Sequence, residues 1–329
     1  MRVVGRAGEP VGLGPDRRAA ARGRRGDRLF HGAAATAGVL VVLIVVLITV
    51  FLVVHAVPAL LHDQANFLTS RSWDVSVPMS FGILQLLWTT VATSVLALAI
   101  ALPFSVGIAL FLTHYAPPWL SRPAAVLIDL LAAVPSIVYG LWGAYIVAPK
   151  FAPIQDGIQH LLGWIPLFGG VSAISGGTTM LLVGIVLAIM VLPIMTAINR
   201  EVLAKAPAAQ QEAALAIGAT KWEMVRTAVL PYGRAGIISG AMLGLGRALG
   251  ETIAVMFILS ALPQGSAWTW SLFNGGETFA SKIASDAAEL TPGLGTGAYI
   301  AAGLVLFLLT FVVNAVARLI IDGKKDFSE

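Results

Sequence analysis

The sequence predicts an all-α membrane protein with six transmembrane helices, and composition and segment length both lead to this. Only 12% of the 329 residues are charged, against about 25% in a soluble domain. The mean hydropathy is +0.86. The apolar residues form six stretches, each near or above the roughly 20 residues that cross a bilayer. They run from about Ala33 to Leu61, Phe81 to Thr113, Pro123 to Val147, Thr179 to Ile198, Ala235 to Leu262 and Ala298 to Ile321.

The segments around these stretches differ in character. Residues 1–30 are rich in arginine and predict a disordered cytoplasmic tail that contacts anionic lipid. Residues 31–80 hold the first span and an external link, and residues 81–321 hold the other five spans. We expect Pro103 to kink or split the second span. Residues 149–178, with a short amphipathic piece at 154–162, and residues 263–297 are predicted to be wet loops, and residues 322–329 a short cytoplasmic tail.

Positive charge sets the orientation. With both termini in the cytoplasm, 17 of the 21 lysines and arginines lie inside, three lie outside, and Arg247 is left within a span. Positive residues are enriched in cytoplasmic loops, so this asymmetry predicts a multi-pass protein of the bacterial plasma membrane with both termini inside. The net charge of +4 is therefore a topology signal, and we expect no nucleic-acid partner.

Composition also excludes several kinds of chemistry. The chain has no cysteine, which rules out disulfides, thiolate metal sites and cysteine nucleophiles. It has no phosphate-binding loop of the G-x-x-x-x-G-K-[ST] type. We therefore expect no cofactor, no metal site and no catalytic residue, and we expect any ATP hydrolysis to occur on another chain.

Arg247 and Glu251 place two charges inside the fifth apolar stretch. If Ile237 to Leu259 forms one helix, the spacing i, i+4 puts both on one face. A charge at mid-bilayer costs roughly 2.5–3.5 kcal/mol on insertion scales, so such residues usually face protein or water and have a function. The other interpretation is a structural lock, in which the two side chains only neutralise each other. Asp129, in the third stretch, is expected to make a structural contact.

The loop 200–234 predicts two short helices around a glycine. Pro207 suits a first helical turn, Ala208 to Ile217 are good helix formers, and Gly218 is a left-handed stop. Thr220 and Glu223 fit a capping box that opens a second helix, which we expect to end before Pro231. The loop could dock a partner or be an ordinary amphipathic connection, and geometry alone leaves both open.

Two motifs carry a resemblance. Glu212-Ala213-Ala214, Gly218 and the run 228–231 (Ala-Val-Leu-Pro) together resemble the EAA loop of ABC importer permeases, with Ala228 where isoleucine is usual. Residues 246–252 (GRALGET) resemble the RA-x-GET signature of phosphate-importer permeases, and residues 132–143 point to the PstC-type subunit. The resemblance covers about residues 81–321 and implies the type I ABC importer permease fold.

The resemblance also implies function. The chain would be one permease of an ATP-driven importer of inorganic phosphate, beside a PstA-like permease, two PstB-like ATPase subunits and an external PstS-like binding protein. Arg247, Glu251 and Thr252 would lie on the substrate pathway, and Glu212, Ala213, Ala214 and Gly218 would belong to a coupling helix. The alternatives are a permease for another oxyanion (molybdate or sulfate), a passive anion channel and a membrane sensor.

Overall fold

The computed structural model describes residues 17–76, 78–169, 176–262, 269–288 and 293–322. The helices are α1 (Arg17–His62), α2 (Leu84–Leu110), α3 (Pro118–Ala132), α4 (Ser136–Trp142), α5 (Ala148–Leu162), α6 (Met180–Ala204), α7 (Ala208–Ala216), α8 (Lys221–Met224), α9 (Leu230–Leu249), α10 (Ile253–Ile258), α11 (Phe279–Ser285) and α12 (Leu294–Asp322). Two short strands, β1 (Trp73–Asp74) and β2 (Ser80–Phe81), pair antiparallel, with Trp73 opposite Phe81.

The chain divides after Val54 into two compact units. The described part of the first is helical, and most of its side chains from Leu29 onward are exposed. Residues 17–30 begin α1, which differs from the disordered tail that the sequence predicts, because alanine and arginine are good helix formers. Residues 1–16 of that tail and residues 323–329 of the C-terminal tail lie outside the described residues.

Within the described residues, six helical segments are long and apolar enough to cross a membrane, as predicted. They are Leu29–His62, Leu84–Tyr115, Ser136–Leu162, Met180–Ala204, Lys221–Leu249 and Leu294–Leu319. The second runs through Pro103 without being split. Two of the six differ from the predicted bounds, and both differences bear on function.

The predicted third span, from Pro123 to Val147, is wrong in its bounds. A break at 133–135 separates α3 from α4, and the long helical segment runs on from Ser136 to Leu162, through a predicted wet loop. Pro135 lacks a backbone N–H and disfavours helix in the residue before it, which explains the break. The polar residues of α5 find partners: Gln155 is buried and accepts a hydrogen bond from Thr179 Oγ1 at 2.8 Å.

The fifth predicted span, Ala235 to Leu262, is also wrong in its bounds. Helix continues from Lys221 to Leu249 through α8, a π-helical turn at Val225–Val229, and α9. The predicted stop before Pro231 does not occur, since Pro231 lies in the first turn of α9, where its missing N–H matters little. At the other end the helix stops at Leu249, and α10 starts only at Ile253.

Glycines bring α9 close to α6. A methyl group at Gly236 would lie 2.5 Å from Val202, at Gly240 it would lie 3.2 Å from Asn199 Oδ1, and at Gly244 it would lie 2.6 Å from Met195 Sδ. Gly244 therefore has a packing role. Small residues at such intervals let helices in a membrane approach closely. The main hydrophobic cluster forms here, with α2, α6, α9 and α10 all contributing.

Candidate functional site

A cavity of about 610 Å³ opens between α6, α9 and α12. Its lining is apolar except for a few donors and acceptors. The lining residues are Ile194, Ser239, Met242, Leu243, Gly246, Arg247, Asn314, Ala317 and Arg318. Arg247 is exposed within the chain and makes no ion pair with a described residue. Its charge is therefore available to a ligand in the cavity.

Arg247 and Glu251 do not lie on one face of a single helix, because the helix between them ends. Arg247 is in the last turn of α9, Gly250 caps that helix, and Glu251 follows outside it. The carboxylate of Glu251 is largely buried and accepts a hydrogen bond from the backbone N–H of Ala254 at 3.3 Å. The predicted i, i+4 pair is thus wrong in its geometry, because α9 ends before Glu251. The sequence pattern contains no strong signal for this break.

Thr252 is the residue immediately before α10. It is half-buried, and its hydroxyl donates to the carbonyl of Gly250 at 3.2 Å. No atom of the described residues lies within 4 Å of where a methyl group on Gly246 would be, so no packing contact among them requires glycine there. The segment 246–252 therefore combines an available guanidinium, an open helix face and a helix break.

The helix–turn–helix of the loop 200–234 is present. α7 covers Ala208–Ala216, and Gly218 follows with φ +90, in the left-handed region, as predicted. Thr220 accepts from the N–H of Glu223, and Glu223 accepts from the N–H of Thr220, which completes the predicted capping box. The helix stop at Gly218 and the capping box are both predictable because each depends only on residue type and short-range spacing.

This element has one anchored face and one free face. Ala214, Met224 and Val225 pack in a cluster with residues of α2 and α6. Glu212 and Ala213 are exposed on α7, and the apolar side chains of Leu215, Ile217 and Trp222 are 46%, 88% and 55% exposed. An exposed apolar surface with a charged residue beside it is typical of a protein-binding site.

Comparison with known proteins gives the family. Residues 101–325 match the family described as "Binding-protein-dependent transport system inner membrane component". Over 305 residues the chain is 55% identical to the "Phosphate transport system permease protein PstC 2" of Mycobacterium tuberculosis, covering 92% of this chain and 93% of the relative. The chain belongs to the PstC family of transport permeases.

Other PstC relatives agree over most of their length. The identity is 55% to the PstC of Mycobacterium leprae, covering 92% of this chain and 95% of that one, and 39% to the PstC of Mesorhizobium japonicum, covering 89% of each. Members of this family are transport permease subunits, and the six apolar helices make this chain a multi-pass membrane protein.

Two solved structures have a similar fold. One is an inward-facing MetNI methionine ABC transporter, with a TM-score of 0.53 and 14% identity, covering 73% of this chain and 95% of that one. The other is a bacterial ABC transporter involved in the import of alginate, with a TM-score of 0.50 and 16% identity, covering 71% and 78%. This PstC-family chain therefore has the predicted type I ABC importer permease fold.

Part of this PstC cavity is not predicted from the sequence. Asn314 and Arg318 lie one turn apart on α12 and face the same cavity as Arg247, whereas the sequence pattern indicates for Arg318 only a cytoplasmic charge at the end of a span. Their i, i+4 spacing was the available signal. Asp129, by contrast, has the expected structural contact, an ion pair with Arg200 at 3.6 Å that joins α3 to α6.

Proposed function

We propose that this chain is one of two permease subunits of an ATP-driven importer of inorganic phosphate, and that it forms half of the translocation pathway. The names of its PstC relatives support phosphate as the substrate. The proposal assigns the pathway to Arg247, Glu251 and Thr252, and the docking of an ATPase to α7, with Glu212, Ala213, Ala214 and Gly218.

The observation that carries the proposal is the uninterrupted helix from Lys221 to Leu249. Its 29 residues correspond to about 43 Å at 1.5 Å per residue. One end is held by the capping box next to α7, and Arg247 lies in the last turn at the other end. A partner that moves α7 would therefore displace the arginine along with its helix, because a helix transmits movement as a rigid element.

The chemistry of the cavity suits an oxyanion. Phosphate at neutral pH carries one or two negative charges, and its water must be replaced by donors inside the membrane. A guanidinium stays charged and offers two parallel N–H donors to two oxygens. The carboxylate of Glu251 accepts a hydrogen bond from the backbone N–H of Ala254 at the start of α10. Thr252 lies at the break, where its hydroxyl donates to the carbonyl of Gly250 at 3.2 Å and would have to exchange that bond to reach the ion.

The remaining assignments concern the assembly. We infer a PstA-like permease as the second half of the pathway, a dimer of PstB-like ATPase subunits bound at α7, and an external PstS-like phosphate-binding protein. Membrane lipid would surround the apolar helices. ATP hydrolysis would take place on the ATPase chains. The distribution of lysine and arginine supports cytoplasmic positions for both termini.

Uptake of radiolabelled phosphate into proteoliposomes that hold the complete importer tests this function. We expect uptake to require the binding protein and ATP hydrolysis, and to resist competition from sulfate and molybdate. Uptake that persists with a hydrolysis-deficient ATPase would indicate a passive channel. Preferential inhibition by one competing oxyanion would identify that ion as the substrate instead.

A second arm separates an importer from a membrane sensor. Glu212→Lys should reduce co-purification of the ATPase, because its exposed carboxylate lies on α7, whereas Glu201→Lys removes an exposed carboxylate from α6 and should not. If neither the wild-type chain nor the Glu201→Lys variant binds an ATPase, the proposed assembly is contradicted.

A further inference from the structure

The cavity that contains Arg247 holds a second guanidinium. Arg318 lines it from α12, together with Asn314 one turn earlier. We propose that Arg318 and Asn314 form a second site for a phosphate group, on the cytoplasmic side of Arg247. This inference rests on the proposed function and adds two residues that the family signature does not include.

The run of the helices places the two arginines at different depths. The lining residues of α9 extend from Ser239 to Arg247, about 12 Å along the axis at 1.5 Å per residue. Consecutive spans cross the membrane in opposite directions, so the C-terminal end of α12 approaches the N-terminal part of α9. Arg318 therefore lies near the Ser239 end of the cavity, and Arg247 lies at the opposite end, farther from the cytoplasm.

The charges in the cavity favour an anion. Among the described residues, both arginines line the cavity and no carboxylate does, and neither arginine forms an ion pair there. Two guanidinium groups that face one apolar space repel each other unless an anion lies between or beside them. A doubly charged phosphate group can accept from one guanidinium and then pass to the other.

The polar lining residues differ in what they can donate. The hydroxyl of Ser239 is already used, since it donates to the carbonyl of Ala235 at 2.9 Å. The side-chain amide of Asn314 is exposed and makes no hydrogen bond with a described residue, so its two N–H groups are available. Arg318 and Asn314 thus supply the donors, and Ser239 only borders the site.

Ser239 is therefore a suitable place for a reporter. The chain contains no cysteine, so Ser239→Cys introduces a single thiol of similar size into the cavity. The complete importer would be placed in nanodiscs of phosphatidylcholine alone and treated with a negatively charged thiosulfonate. Peptide mapping then measures the labelling rate at this position.

We expect inorganic phosphate to slow this labelling, and Arg318→Gln to weaken the protection by about tenfold or more, the typical effect of losing a charge-assisted hydrogen bond. Arg122→Gln is the matched control, because it removes an exposed arginine from α3, outside the lining of this cavity. It should leave the protection unchanged. Asn314→Leu should weaken the protection by a smaller factor.

A phosphate group can also come from a lipid headgroup, and a second arm distinguishes this source. The experiment is repeated in nanodiscs that contain phosphatidylglycerol. If inorganic phosphate slows labelling of the thiol in phosphatidylcholine, the site is part of the pathway. If labelling is slowed only in nanodiscs that contain phosphatidylglycerol, the site binds a lipid headgroup. The proposal is overturned if neither slows the labelling, or if Arg318→Gln behaves like Arg122→Gln.

Uptake by the unmodified importer separates this inference from the proposed function. If phosphate is imported but the thiol is never protected, the second site is wrong and the function stands. If no phosphate is imported, the proposed function itself fails.

Discussion

Glu251 accepts a hydrogen bond from the backbone N–H of Ala254 at 3.3 Å, at the start of α10. The carboxylate thereby satisfies one of the free N–H groups of a helix that begins immediately after a break. Arg247 ends the preceding helix and lines the cavity. The two charges that sequence spacing joins into a pair therefore have separate surroundings, and a double substitution tests whether they also have separate roles.

Arg247→Gln should abolish phosphate uptake while the importer still assembles, because the charged fork in the cavity is lost. Arg247→Lys should also be impaired, since a lysine is a point charge without two parallel donors. Adding Glu251→Gln to Arg247→Gln should not restore uptake, because the amide keeps the hydrogen bond to Ala254 but supplies no positive charge. Recovery in the double variant would return the pair to the role of a neutral structural lock.

Two glycines of α9 make a matched pair for helix packing. A methyl group at Gly236 would lie 2.5 Å from both methyl carbons of Val202, whose branched side chain is stiff. A methyl group at Gly246 would have no atom of the described residues within 4 Å. Gly236→Ala should therefore destabilise the chain by about 1–3 kcal/mol through overpacking. Gly246→Ala should be neutral or stabilise it by about 0.5–1 kcal/mol through helix propensity.

Thermal unfolding in detergent measures the two variants side by side. Equal melting temperatures would show that α6 and α9 can separate at no cost, which would contradict the close packing described above.

The elements that the sequence predicts correctly are those with local signals. Six apolar segments follow from composition, and Gly218 and the capping box of Thr220 and Glu223 follow from residue type and spacing. The predicted third span begins too early because hydropathy favours the apolar residues before Pro135 over the more polar α5. Burial of Gln155 against Thr179 stabilises α5 in the fold, and no local pattern reports that contact.

In the candidate site too, features with a local sequence signal are predicted, and features that depend on packing are not. Arg247 is conspicuous in sequence because it is a charge inside an apolar stretch. The break at Gly250 does not follow from residue type, because glycines such as Gly240 and Gly244 lie inside α9 without ending it. The hydrogen bond between Glu251 and Ala254 forms only once the break exists. The sequence does not predict a site role for Arg318, because a positive charge at the end of a span is ordinary and only the packing of α12 on α9 brings it to the cavity.

Gly218 should control how the docking element is presented. Its φ of +90 is a backbone conformation that residues with a side chain rarely adopt, although the space around Gly218 is open among the described residues. Gly218→Ala should therefore distort or destabilise the turn by about 1–2 kcal/mol, and Gly218→Asn should be milder, since asparagine tolerates this region better. Co-purification of the ATPase should fall in the same order, from wild type to asparagine to alanine. Full binding by the alanine variant would show that the turn does not set the position of α7.

Lys282 should give a pH-dependent contribution to stability that an exposed pair of the same spacing lacks. Its Nζ lies 3.0 Å from Asp286 and 3.2 Å from Glu277, and Tyr299 donates to Asp286 at 2.7 Å. Burial lowers the pKa of Lys282, but the two carboxylates outweigh it and raise this pKa above the ordinary 10.5. Burial raises the pKa of Asp286, but hydrogen bonds from Tyr299, Lys282 and Ser285 outweigh it and bring this pKa below the ordinary 3.8.

A lysine pKa raised by folding stabilises the fold below 10.5, and this contribution is lost as the pH rises through the folded value. An aspartate pKa lowered by folding stabilises the fold above 3.8, and this contribution is lost as the pH falls through the folded value. Lys282→Met should therefore lower the melting temperature most between about pH 5 and 9, and the deficit should shrink on acidification, because protonation relieves the repulsion between Glu277 and Asp286. Lys205→Met is the control: its i, i+4 partner Glu201 is 70% exposed, and such pairs contribute little. A deficit that is independent of pH, or equal in the two variants, would mean that Lys282 stabilises the fold through packing and not through charge.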